Sequence, residues 1–391
     1  MTSGMWIIRV VGAISLLVVT CTASAYGPRI EIDPAVDLIA KAWSGYGKRF
    51  ILQDGRVQRP RNGGDTVSEG QAYALLIASL LDDRKTFDRV LDWTERHLSR
   101  KGRTGDHLLA WHWEPGKGVT DWNSASDADL DYALALITAS ARWSDPRYTR
   151  KARLILSDLL DLETEMVDGH RYLLPGSWRK GRDSYIINPS YLSPAHFRIF
   201  FQCTGDSRWN DLIEGSYHLI ERTSKSLAGV PGVGLVPDWL LIAQDGALIP
   251  AKGFSDRFSW DAIRTSWRLG IDALWFGEDR ARRDLDGISD FYTREWERRG
   301  GLFFAEYTYE GTPTQKYERV AAYAMSLSAL ARSNSPALTG VLEKLRNAFD
   351  KETSLFEGSD DYYTNSLVLL ALIFYREGKL PTLDPRNIGC R

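Results

Sequence analysis

Cysteine is scarce in this chain, its charges nearly cancel, and nothing after the N-terminus looks like a membrane span. Three cysteines among 391 residues, with no C-x-x-C, exclude a disulfide scaffold and a thiolate zinc cluster. Six histidines (97, 107, 112, 170, 196 and 218) show neither H-E-x-x-H nor any paired-ligand spacing, so no metal or other cofactor is expected. Lys plus Arg (49) against Asp plus Glu (51) gives a net charge of −2 without a long basic block, which argues against nucleic acid as a partner. A serine hydrolase would need G-x-S-x-G after a strand, and Pro231-Gly-Val-Gly234 is not one. There is no phosphate-binding glycine motif, no βαβ rhythm and no solenoid repeat.

The N-terminus reads as a secretory signal. Arg9 precedes an apolar run from Val10 to Val19, and Ala23-Ser-Ala25 supplies an A-x-A cleavage site. The run is short for a membrane span, and Cys21 follows Val18-Val-Thr20, a poor lipidation box. Residues 1–25 are therefore expected to be removed, leaving 26–391 as one soluble domain without stable membrane insertion, exported to the periplasm or beyond. Cleavage would leave Cys203 and Cys390, which could pair in an oxidising compartment.

What is abundant is aromatic: 14 Trp and 17 Tyr. Many must be core, but rings on a cleft surface are what sugar faces stack on. The stretch Asn123-Ser-Ala-Ser-Asp-Ala-Asp-Leu-Asp-Tyr-Ala, running on to Trp143, places Asp127, Asp129 and Asp131 in the first turns of an apolar helix, with Asn123, Ser124 and Ser126 available as caps. Three acids at alternating positions exceed what capping needs. Helical patterning also covers Pro34 to Tyr46, Gln71 to Leu81, Lys85 to Ser99, Pro146 to Leu160, Asn188 to Cys203 and Ser207 to Ser224. It resumes over Trp260 to Phe276, Asp279 to Arg298, Glu318 to Arg332, Ala337 to Phe349 and Tyr362 to Glu377. Phe50-Ile-Leu52 reads as a possible strand, Asp168 to Arg182 as irregular, and Leu235 to Leu241 facing Ala247 to Ala251 as a small hairpin. About twelve helices in consecutive pairs, with long aromatic links on one side, point to an all-α dominated, closed α/α toroid carrying a small β-hairpin insertion.

Three acids lie at loop-to-helix junctions beside aromatics: Glu69 in Ser68-Glu-Gly-Gln-Ala-Tyr73, Asp127, and Asp261 in Phe258-Ser-Trp-Asp-Ala-Ile-Arg264. Glycosidic cleavage needs one carboxylic acid to protonate the leaving oxygen and one carboxylate to activate water or attack carbon. Apolar neighbours raise an acid's pKa, whereas a guanidinium three residues along a helix face keeps a carboxylate ionised. Taken singly, Glu69 reads equally well as a helix cap and Asp261–Arg264 as an ordinary surface pair.

Together these segments resemble glycoside hydrolase family 8, inverting endoglucanases with an (α/α)6 barrel, and among them the periplasmic enzymes that accompany bacterial cellulose synthases. Ala125-Ser-Asp-Ala-Asp-Leu-Asp-Tyr-Ala133 is similar to the family pattern, with Tyr132 where Ile or Met is usual. Ser68-Glu-Gly-Gln-Ala-Tyr73 and Trp260-Asp-Ala-Ile-Arg264 match its other two motifs, with Trp260 in place of Tyr. Asn188-Pro-Ser-Tyr191, Pro237-Asp-Trp239 and Asp361-Tyr-Tyr363 follow in the expected order. The resemblance implies Glu69 as general acid, Asp261 as general base, Asp127 as a holder of the distorted sugar ring (often recorded in the family as nucleophile), and Arg264 as the group that orients Asp261. It further implies Trp111, Trp113, Trp178, Tyr191 and Tyr363 along a glucan cleft, and Tyr73 packed beside the acid. An inverting pair is expected to stand about 6.5–9.5 Å apart. The implied protein is a monomer acting on β-1,4-glucan, alone or docked on a cellulose synthase complex. Chitosan, xylan or mixed-linkage glucan are alternative substrates; a non-catalytic glucan-binding protein and a polysaccharide lyase are the readings from other classes.

Overall fold

The computed structural model describes residues 33–178 and 184–376. The expected signal segment and Cys390 lie outside the described residues; Cys203 is buried and disulfide-bonded. Twelve α-helices are described: α1 Asp33–Arg49, α2 Ser68–Leu80, α3 Arg84–His97, α4 Ser126–Trp143, α5 Pro146–Leu162, α6 Pro194–Thr204, α7 Arg208–Lys225, α8 Arg264–Trp275, α9 Asp279–Arg298, α10 Val320–Arg332, α11 Ala337–Asn347 and α12 Tyr362–Arg376.

The helices sort by composition into two layers. Among the even-numbered helices α2, α4, α10 and α12 are apolar or small-residue on most sides, and in α2 every residue but half-buried Glu69 is buried; α8 is buried too, with its Arg264, Arg268 and Asp272 paired inside. Helices of that kind can only be interior. Odd-numbered helices carry one apolar stripe and a charged face, as in Phe87, Val90 and Trp93 of α3 or Leu285, Ile288 and Phe291 of α9, and each covers an inner neighbour. The inner helices pack α2 on α4, α6 on α8, α8 on α10, α10 on α12, and α12 back on α2. Between α4 and α6 the join is polar: His196 Nε2 meets Asp131 Oδ1 at 3.0 Å, while Arg268 from α8 donates to Asp131 Oδ2 over 2.7 Å. The result is a closed (α/α)6 ring whose wall buries Trp93, Trp209 and Trp267. Each such ring contributes roughly 1.5–3 kcal/mol on burial.

Extended structure is confined to short pieces. Leu240–Ala243 pairs antiparallel with Leu248–Pro250, the expected hairpin, but it begins at Leu240 and also takes Ser184–Ile187 as a third strand. Residues 235–239 stay irregular because Asp238 turns inward to cap the next segment. Two further sets of strands depart from expectation. Thr164–Val167 and His170–Leu173 form a hairpin whose second strand and turn, through Asp168 (φ 48) and Gly169 (φ 78), lie in the stretch from Asp168 expected to be irregular. His112–Glu114 pairs with both Thr66–Val67 and Gly118–Asp121. Phe50-Ile-Leu52 is not a strand: α1 continues to Arg49, and only Ile51 bridges to Val57.

Because inner helices all run the same way, their N-terminal ends gather at one mouth. Contacts between Tyr362 of α12 and Glu69 of α2, and between Arg264 of α8 and Asp127 of α4, cross that mouth.

Candidate active site at the mouth of the ring

Glu69 occupies the first turn of α2, where the helix N-terminus favours an acid. Its Oε1 accepts a hydrogen bond of 2.5 Å from the Tyr362 hydroxyl. That approach depends on Gly70, where an added Cβ would sit 3.2 Å from the Tyr362 ring. Burial, followed by the charge of Asp127, pushes the Glu69 pKa up to about 7. Beneath it, Gln71 is spent on the scaffold: it accepts from Val57 N and donates to Thr94 Oγ1 (2.7 Å), tying the 55–57 loop to α2 and α3.

Asp261 lies not within α8, as its pattern implied, but in the turn just before it, since α8 begins at Arg264. The turn is organised by Asp238, whose Oδ1 accepts from the backbone N–H groups of Ser259, Asp261 and Ala262. Each oxygen of Asp261 is held separately: Arg264 Nη2 donates to Oδ1 over 2.9 Å, and Trp239 Nε1 to Oδ2 over 2.9 Å. Burial nevertheless outweighs Arg264, and the Asp261 pKa rises to about 6. The carboxylate is still mostly ionised at neutrality, but less secure than a guanidinium partner alone would make it.

Arg264 is the hub. Its Nη1 donates to Asp127 Oδ2 (2.8 Å) and to the Tyr73 hydroxyl (2.9 Å), and its Nη2 to Ser190 Oγ (3.0 Å) as well as to Asp261. The Tyr191 ring lies 5.1 Å from the guanidinium carbon. A planar fork with several fixed donors can do this where a lysine cannot. Asp127, expected to grip a sugar ring, has a side chain only 1% exposed and both oxygens engaged, with Arg264 and with Ala128 N. Its neighbours on α4 are structural: Asp129 accepts from Leu109 N, and Asp131 is consumed by Arg268 and His196. Nor do the nearby serines cap α4, since Ser126 bonds Leu174 O and Ser124 bonds Glu163.

A cavity of about 360 Å³ opens above this cluster, and Glu69, Asp261, Trp260, Tyr362 and Tyr363 all line it. Tyr363 donates to Trp260 O over 2.9 Å and its ring stands 6.4 Å from that of Tyr73. Trp111 is 38% exposed. Trp113 instead packs edge-on against Trp93 with Arg56 over its ring, so it belongs to the wall. Half-buried Trp178 folds back on Gly176, whose added Cβ would lie 2.7 Å from its Nε1. The sequence alone assigned no role to Tyr362, Trp239, Asp238 or Ser190; all four lie in motifs marked above, and nothing in their spacing revealed their targets. Among the described residues no group of three or more metal-ligating side chains converges, and no helix is long and apolar enough to cross a membrane.

Comparison with known proteins places these features in context. The family model described as glycosyl hydrolases family 8 matches residues 10–377. Endoglucanase A of Acetivibrio thermocellus is 31% identical over 378 residues, spanning 92% of this chain and 74% of that protein. A probable endoglucanase of Novacetimonas hansenii is 35% identical over 237 residues, 59% of this chain and 67% of its own length. The solved structure of an endo-beta-1,4-glucanase from Acetobacter xylinum superposes with a TM-score of 0.70 at 27% identity, covering 88% of this chain and 99% of that one.

Proposed function

The chain belongs to glycosyl hydrolase family 8, and from that premise we propose that it is an exported endo-β-1,4-glucanase that cuts cellulose-like glucan with inversion at the anomeric carbon. The observation that carries this reading is the pair of carboxyls on one cavity, Glu69 with its pKa near 7 and Asp261 with its pKa near 6. Two carboxyls that titrate near neutrality on one cavity, one hydrogen-bonded to a tyrosine and the other to an arginine, are what acid/base hydrolysis of an acetal requires.

In the proposed reaction the protonated Glu69 delivers its proton to the glycosidic oxygen as the C–O bond breaks. Asp261, ionised, takes a proton from a water that attacks the anomeric carbon from the opposite face. Arg264 fixes Asp261 through Oδ1 and is itself fixed by Asp127, Tyr73 and Ser190. Asp127 thus enters the proposal first as the charge that seats Arg264 beneath the reacting sugar. The open rings of Trp260 and Trp111 and the half-buried ring of Tyr363 on the cavity wall offer faces to the glucan. Residues 26–391 form one catalytic domain in this reading, with 1–25 as the export signal and the periplasm as destination. The endoglucanase names of the relatives and the endo-beta-1,4-glucanase named for the Acetobacter structure support the substrate; a setting in cellulose production is part of the same proposal.

The test is release of reducing ends from carboxymethylcellulose by wild type, Glu69→Gln and Asp261→Asn. Each variant should lose on the order of 10²–10⁴-fold in kcat while remaining folded. A wild type that is inert on this substrate but cuts chitosan or xylan would overturn the substrate; activity surviving in both variants would overturn the mechanism. Proton NMR of the first-formed product should show the α-anomer.

A further inference from the structure

Arg319 immediately precedes α10, is only 6% exposed, and has no carboxylate at ion-pair distance among the described residues. A buried guanidinium ordinarily pairs with an acid, because an uncompensated charge is costly to desolvate. Here Glu357, which accepts from Val320 N over 3.0 Å, and Asp361 act on the charge from beyond ion-pair distance, and the groups that touch the guanidinium are rings. The guanidinium lies over the indole of Trp260 and 5.4 Å from the ring centre of Tyr317, and its Nη2 donates to the Tyr317 hydroxyl over 2.7 Å. Both rings are conspicuously open, Trp260 at 40% and Tyr317 at 47% exposure. From the other side Tyr363 donates to the Trp260 carbonyl. Trp260 lines the cavity and directly precedes Asp261 in the chain.

Resting on the glucan reading above, we propose that Arg319 is a positioning residue for substrate. By backing one face of Trp260 and tethering itself to Tyr317, it sets the angle at which the indole presents its remaining surface to the glucose ring beside Asp261. A cation against one face holds the indole in a single rotamer, so that glucan does not have to order it on binding. Arg319 touches neither reacting carboxyl, so its effect falls on binding shared by ground and transition states and not on proton transfer.

The experiment compares kcat and KM of the full chain on cellopentaose for Arg319→Ala, Arg319→Lys, Trp260→Ala, the double alanine variant and Tyr317→Phe. Arg319→Ala and Trp260→Ala should each raise KM about tenfold with kcat within about twofold. The double variant should lose no more than either single one, because both remove the same platform. Arg319→Lys keeps the charge but not the planar group that lies on the indole and reaches Tyr317, so it should recover only part of the lost affinity, and Tyr317→Phe, at an exposed site where folding is not at stake, should raise KM by about twofold. A fall in kcat at unchanged KM, additive losses in the double variant, or an unaltered KM in Tyr317→Phe would overturn the proposal. Wild type inert on cellopentaose but active on another glycan would overturn only the substrate reading, and the same KM pattern is then required on that glycan.

Discussion

Trp239 donates its indole N–H to Asp261 Oδ2 over 2.9 Å while Arg264 holds Oδ1, so both oxygens of the proposed base are engaged by donors that favour its ionised form. Burial pulls the other way and leaves Asp261 near pKa 6. With Glu69 near 7, the pH profile of kcat/KM should be a narrow bell. It falls below about pH 6 as the base protonates and above about pH 7 as the acid ionises.

Replacing Trp239 by Phe keeps the ring and removes that donor. The Asp261 pKa should rise, moving the acid limb of the bell to higher pH by about one unit, the size of one hydrogen bond to a charged group. The alkaline limb should stay where it is. An acid limb that does not move would show that Trp239 has no hold on the base.

Tyr362→Phe makes the mirror measurement on the acid. The Tyr362 hydroxyl donates to Glu69 and so stabilises its carboxylate. Without it Glu69 keeps its proton to higher pH, and the alkaline limb should move upward while the acid limb holds. Both variants thus shift in the same direction but on different limbs, which separates the two carboxyls experimentally.

Asp131→Asn tests the polar joint of the ring. Arg268 and His196 hold the Asp131 carboxyl down to about 2 against burial. Its contribution to stability is full above its unfolded pKa of about 4 and is lost as pH falls through the folded value. The Asn variant leaves the fully buried Arg268 without its carboxylate, so urea unfolding at neutral pH should show a loss of about 3–5 kcal/mol. The difference from wild type should shrink between about pH 4 and pH 2.

Glu163→Gln should do the reverse. Burial pushes Glu163 up to about 8, and its Oε2 and Asp129 Oδ2 are buried without hydrogen-bond partners. The folded state binds this proton more tightly than the unfolded chain, so this group's contribution to stability is full below its unfolded pKa of about 4.3 and declines as pH rises through 8. The Gln variant, which cannot ionise, should flatten that decline. An unchanged slope of stability against pH between 5 and 8 would show that Glu163 does not titrate there.

Helix number and order were legible in the chain because helical periodicity and its caps and breakers are local signals. The acids at loop-to-helix junctions were legible too, Glu69 and Asp261 among them. The short strands were not: His112–Glu114 and Thr164–Val167 are three or four residues long, too short for periodicity to register. Nor did the chain separate Asp127 from Asp129 and Asp131. On a helix Asp127 and Asp131 share one face a turn apart while Asp129 points away, and only the neighbours they meet (Arg264, Arg268 and Leu109 N) assign Asp127 to the site and the other two to the scaffold.

By itself, then, the sequence determined the paired helices and the residue types at the loop-to-helix junctions, because periodicity and motif are local properties, and its family motifs implied the ring. Only the tertiary structure decided which group holds which carboxyl. Arg264 lies 137 residues from Asp127 and 191 from Tyr73, and Tyr362 lies 293 from Glu69. Contacts at such separations exist only once the ring has closed, and ring closure is also what buries the two carboxyls and so raises both above the ordinary carboxylate range.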